Sequence, residues 1–166
     1  MNSFYTRLIL QIILFLTNIN PITKIILIFF TDFIDSEIYR LKHPKVLLKY
    51  NEEYQKLDKL NDIIGYLLTY YIIFKHKLLT TKQFNILTFV LSYRLLGSYI
   101  VYKTNNRKYF LLFIDFYKEL FLLFYFVKNK QTFNILFSLI FIIKLYIEYT
   151  FHYVTKNIKA DKQEEK

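Results

Sequence analysis

A chain of 166 residues is long enough for one ordinary soluble core, yet 54% of it is hydrophobic, 20% is Phe or Tyr, and Gly and Pro number two each. One small globule in water cannot hide that much apolar surface, so composition predicts an all-α, polytopic integral membrane protein. The net charge of +10 is dispersed between apolar runs, which argues against a nucleic-acid-binding stripe. The absence of Cys excludes disulfides, zinc–thiolate sites and thiol catalysis.

In chain order the first apolar segment is Phe4–Thr17. It resembles a signal peptide, with Arg7 in the basic leader, but no small-residue cleavage site follows, so a retained first span is expected. The second is Pro21–Ile38, where Asn20 caps the helix and Pro21 takes its first position, since a proline loses nothing where the N–H has no partner in the helix. Leu57–Phe74, Phe84–Tyr102, Tyr109–Val127 and Phe133–Tyr153 complete six expected spans. Several approach the roughly 20 residues that cross a bilayer as helix. Basic residues concentrate in alternate loops (Arg40 to Lys56, Lys103 to Lys108, and the tail from Lys156), which predicts that both termini are cytoplasmic. The predicted membrane domain is 1–155, and 156–166 is a charged, solvated tail.

Four acids interrupt this pattern. Asp32 and Asp35 are three apart near the end of the second segment, and Asp58 and Asp62 are four apart at the start of the third. Each pair therefore projects from one helix face. If the two helices are neighbours, the four carboxylates converge, and anions that close must be neutralised. An all-oxygen set suits Mg²⁺, Mn²⁺ or Ca²⁺ better than zinc, and Mg²⁺ is commonly shared between carboxylates and substrate phosphates. The plain alternative is that these are solvated acids marking helix ends at the interface. Arg94, within the fourth segment, either meets a lipid phosphate or snorkels to the interface. Asp115 and Glu119 share a face of the fifth segment, Glu119 supporting the site or pairing with Lys118 or a neighbouring helix; Lys144, Glu148 and His152 recur every four residues on the sixth, where Lys144 and Glu148 can neutralise each other.

The stretches "DFIDSEIYR" and "DKLND" resemble the signature of the CDP-alcohol phosphatidyltransferases, D-x2-D-G-x2-A-R-x8-G-x3-D-x3-D. That family consists of six-helix membrane enzymes. The resemblance implies attack by an alcohol hydroxyl on the β-phosphorus of a CDP-alcohol such as CDP-diacylglycerol, with release of CMP. It also implies that Asp32, Asp35, Asp58 and Asp62 hold Mg²⁺ or Mn²⁺, that Asp62 serves as the catalytic base, and that Ser36 and Arg40 meet the nucleotide or phosphate, with Arg94 as a further phosphate contact. A CDP-alcohol, a small alcohol acceptor, membrane lipids and a second copy in a homodimer are the implied partners. The chain departs from the signature at Ser36 and Tyr54, which replace its two glycines, and at Tyr39, which replaces its alanine; the Arg40-to-Asp58 connection is five residues longer. Side chains at these positions obstruct close approach of a nucleotide to the backbone. Two alternatives therefore stand beside the enzyme: a degenerate member that binds metal or CDP-alcohol without turnover, and a transporter or assembly protein whose acids line an ion path.

Overall fold

The computed structural model describes residues 3–42, 52–104 and 106–150, excluding the side chains of residues 3, 33–42, 52–56 and 107. Among the described residues the chain is all-helical: α1 (Ser3–Leu16), α2 (Pro21–Lys42), α3 (Glu52–Lys75), α4 (Thr81–Thr104), α5 (Tyr117–Phe126) and α6 (Lys130–Tyr149), with a short 3-10 helix at Arg107–Leu111. They fall into two units, Met1–Leu78 and Leu79–Lys166.

The first unit runs up, down and up. Asn20 accepts from the Ile22 N–H at 3.0 Å, and α2 starts at Pro21, as the capping signal predicts. Lys24 donates to the Phe15 carbonyl (2.9 Å) and Gln11 to Thr31 (3.1 Å), so α2 is antiparallel to α1. Asn61 donates to the Phe4 carbonyl at 3.2 Å, and Phe15 meets Tyr71 further along, so α1 and α3 are parallel. Gly65 lets the Gln11 amide lie against the α3 backbone. Helix α3 ends through Lys77, at φ 50°, and Leu78 donates back to the Ile73 carbonyl.

The interior of this unit is unusually polar. Arg7, Gln11, Thr31, Asn61, Asp62 and Thr69 are buried beside Ile25, Ile28, Tyr66, Ile72 and Ile73, while Ile13, Leu16, Phe30, Leu67 and Phe74 face outward. Thr69 bonds back to the Gly65 and Tyr66 carbonyls, which leaves no polar atom of that hydroxyl to the apolar surroundings.

In the second unit α4 and α6 are long and apolar enough to cross a membrane. At 20 residues α6 is about 30 Å long, and none of its residues is buried within the protein. By contrast α4 buries one stripe, Leu87, Leu91, Arg94 and Gly97, at helical spacing. The expected fifth span, Tyr109–Val127, is not one helix. It breaks over residues 112–116, and α5, with ten residues, is about 15 Å long, half of what a span needs. Side chains of α4 serve the broken backbone: Tyr93 donates to the Leu112 carbonyl at 2.7 Å and Arg94 to the Phe113 carbonyl at 2.6 Å. Asp115, placed by the sequence on a helical face with Glu119, instead precedes α5 and accepts from the Tyr117 N–H. Stacked rings, Phe116 on Phe141 and Phe124 on Phe133, join α5 to α6. Asn129 caps α6 through the N–H groups of Gln131 and Thr132.

Phe113 lies directly over Gly97, and a Cβ at that position would collide with its ring and its Cβ. Gly97→Ala is expected to destabilise the second unit by about 1–3 kcal/mol. Thermal unfolding followed by circular dichroism in detergent checks this, and the loss should shrink when Phe113→Ala is combined with it.

Candidate functional site

On α1, Arg7 and Gln11 are four residues apart and share the face turned to α2 and α3. On α3, Asp58 and Asp62 are likewise one turn apart. These two spacings, with Asp32 from α2, build the main charged centre of the first unit. One Arg7 nitrogen, Nη1, lies 3.0 Å from Asp58 Oδ1 and 3.3 Å from Asp32 Oδ1. The other, Nη2, lies 2.7 Å from Asp62 Oδ1. A single planar guanidinium thus meets three carboxylates from two helices, a use of its forked donors that a lysine cannot reproduce.

Lys59 closes the opposite side, 3.0 Å from Asp62 Oδ2 and 3.6 Å from Asp58 Oδ2. Both oxygens of Asp58 and both of Asp62 are therefore engaged by cations. Burial is graded across the site: the side chains of Arg7 and Asp62 are 2% and 7% exposed, Asp58 19%, and Asp32 41%. The deep end is closed by protein, and solvent reaches the cluster from α2. Three carboxylates against Arg7 and Lys59 leave one formal negative charge among these five groups.

Carboxylate oxygens of Asp32, Asp58 and Asp62 lie within 4.8 Å of one another, and the group could hold a metal ion. The donors fit a hard cation in kind, since all are carboxylate oxygens. The structure thus brings together three of the four acids singled out by spacing. Asp35, Ser36 and Arg40 lie on α2, whose backbone continues as helix to Lys42, but their side chains fall outside the described residues, as do those of Tyr39 and Tyr54. The 43–51 connection, His152 and the tail from 156 also lie outside them.

Arg94 belongs to the second unit and is buried, so it does not snorkel. Its nearest described partners are the Phe113 carbonyl, Asp115 at 3.8 Å and the face of Phe110 at 4.4 Å. Lys144 reaches across to Glu119 on α5, at 2.7 Å, so of the alternatives open for Glu119 the structure forms the pairing with a neighbouring helix. His76 is exposed in the turn after α3.

The residue that spacing arguments missed is Arg7. Its position before an apolar run suggests a leader or membrane-flanking charge, but the signal for its burial was present: Arg7 and Gln11 form a polar stripe along a helix otherwise apolar on that stretch.

This chain matches no family model, no curated protein and no solved structure. The resemblance to the CDP-alcohol phosphatidyltransferases rests on the motif positions themselves.

Removing one partner of a buried ion pair strands the other charge, whereas a solvated partner is readily replaced by water. Asp62→Asn, which leaves Arg7 with Asp32 and Asp58, is expected to cost about 1.5–3 kcal/mol, and Asp32→Asn about 1 kcal/mol or less. Parallel thermal melts of the two variants in one detergent test the ranking; an equal loss would mean that depth does not set the strength of this cluster.

Proposed function

We propose that this protein is a multi-pass membrane phosphotransferase that uses a divalent cation, Mg²⁺ or Mn²⁺, to transfer a phospho-alcohol group from a CDP-alcohol to an alcohol acceptor with release of CMP. The observation that carries the reading is the convergence of Asp32 with Asp58 and Asp62, which places carboxylates from two separate stretches of the signature within 4.8 Å of one another. The apolar outer surface of the first unit around a polar interior supports a membrane setting. So do the two helices long enough to span. Both termini and the loop between α2 and α3 face the cytoplasm in this reading, by the distribution of basic residues.

The reaction forms a bond between the acceptor oxygen and the β-phosphorus and breaks the bond from that phosphorus to the CMP oxygen, which leaves with the electron pair. The acceptor proton passes to a carboxylate. A bound divalent cation supplies charge neutralisation for the diphosphate and its leaving group. Asp32, Asp58 and Asp62 hold that cation, with Asp35 completing the set, while Ser36 and Arg40 meet the nucleotide end. Asp62 is the base, and it can take a proton only when Arg7 or Lys59 releases one of its two oxygens, because each oxygen now accepts from a cation.

That last condition favours a second reading, a chain that keeps the fold and the acids without turnover. Arg7 then serves permanently as the cation of the cluster, in keeping with Tyr39 and Tyr54 at positions where the signature has small residues.

The two readings part in one assay. Purified protein in lipid, supplied with CDP-diacylglycerol, CDP-choline or CDP-ethanolamine and a panel of alcohols, should release CMP with Mg²⁺ or Mn²⁺. Release should fall to the EDTA background in Asp58→Asn and in Asp35→Asn, with membrane insertion intact. No release from any pair of substrates supports the non-catalytic reading, and turnover that survives both substitutions overturns the assignment of the acids.

A further inference from the structure

The charge count and the shared oxygens bear on how a cation reaches the centre. Among the described groups only Arg7 touches all three carboxylates; Lys59 touches two. A metal ion held on the Oδ1 atoms of all three would use the oxygens that now face the guanidinium. Arg7 and Lys59 supply two positive charges to the same carboxylates that a divalent cation would use.

We propose that Arg7 is the built-in counter-cation of the carboxylate cluster, and that a divalent ion occupies the cluster only by displacing the guanidinium. The inference rests on the metal-binding reading above. Exchange of this kind needs movement of one side chain and not of the helix. Gln11 on Thr31, Asn61 on the Phe4 carbonyl and Lys24 on the Phe15 carbonyl hold α1 without help from Arg7. The path runs toward Asp32, the exposed edge of the cluster. Apparent metal affinity is then lower than the carboxylates alone would provide, because each binding event must also break three ion pairs. This is competition between two ligands for one set of donors, so affinity for one falls as occupancy by the other rises.

Lys59 offers the competing route. If the ion entered from its side, two carboxylates would suffice and Arg7 would stay in place. Removing Arg7 and removing Lys59 therefore have different effects on the two routes.

The test is Mn²⁺ binding to the full chain in detergent, read from the electron paramagnetic resonance signal of the free ion. Arg7→Gln is expected to bind Mn²⁺ roughly tenfold or more tightly than the unaltered chain, the scale of ordinary coupling between linked ligands. The gain should disappear in Arg7→Gln combined with Asp58→Asn, and Lys59→Gln should gain less. Equal affinity for Arg7→Gln and the unaltered chain, with binding still lost in Asp58→Asn, overturns the exchange and leaves the metal-binding reading standing. Mn²⁺ binding by none of these proteins overturns both. Should Arg7→Gln not fold, the unaltered chain answers the question through phenylglyoxal labelling of Arg7, mapped by peptide mass spectrometry. Saturating Mn²⁺ should raise that labelling from near background, and labelling unchanged at saturation overturns the exchange.

Discussion

A guanidinium that is taken out of water needs anions or carbonyls close by, because no lipid or aliphatic side chain can replace its hydration. Arg7 imposes that requirement on the first unit. Its fork draws Asp32 from α2 and Asp58 and Asp62 from α3 to one point. These pairings also set the register of three helices, since a one-residue slip of α1 would turn its only cation away from all three acids. Arg94 imposes the same requirement in the second unit and meets it differently, with a main-chain carbonyl, a carboxylate and the face of a ring.

Around those charges, amides, hydroxyls and ions share the interior of the first unit with Ile25, Ile28, Tyr66, Ile72 and Ile73, while Ile13, Leu16, Phe30, Leu67 and Phe74 face outward. Between helices in an apolar medium, hydrophobic burial supplies little net drive, so close packing and polar pairing carry the association. Gln11 against Gly65 illustrates both: a small residue admits the amide, and the amide then bonds to Thr31. The cluster that proposes itself for chemistry is thus also part of what holds the bundle together, and substitutions there will act on stability and function at once.

Much of this was legible in the sequence, where local rules operate. Asn20 and Pro21 announce the start of α2, and the i, i+4 spacing of Asp58 and Asp62 puts both on the face that meets Arg7. That α4 and α6 are long and apolar enough to cross a membrane follows from length and composition. Two features depend on tertiary partners, and the sequence marks them weakly or not at all. Tyr109–Val127 contains no Gly or Pro to mark a break, and its interruption is stabilised by Tyr93 and Arg94 from another helix. Arg7 has the same sequence context as a membrane-flanking charge, and only the arrival of three acids from elsewhere in the chain makes its burial affordable. Lys144 pairs across to Glu119, one of the pairings that the sequence left open.

The break before α5 has a consequence for how the protein is made. An apolar segment with open carbonyls cannot enter a bilayer cheaply as a separate unit. Tyr93 and Arg94 precede it in the chain, so the ribosome delivers the donors before the acceptors that need them. In the membrane setting proposed above, residues 112–116 can be satisfied as soon as they emerge, against α4. Placing α5 ahead of α4 in the chain would, in that setting, remove the partner at the moment of insertion.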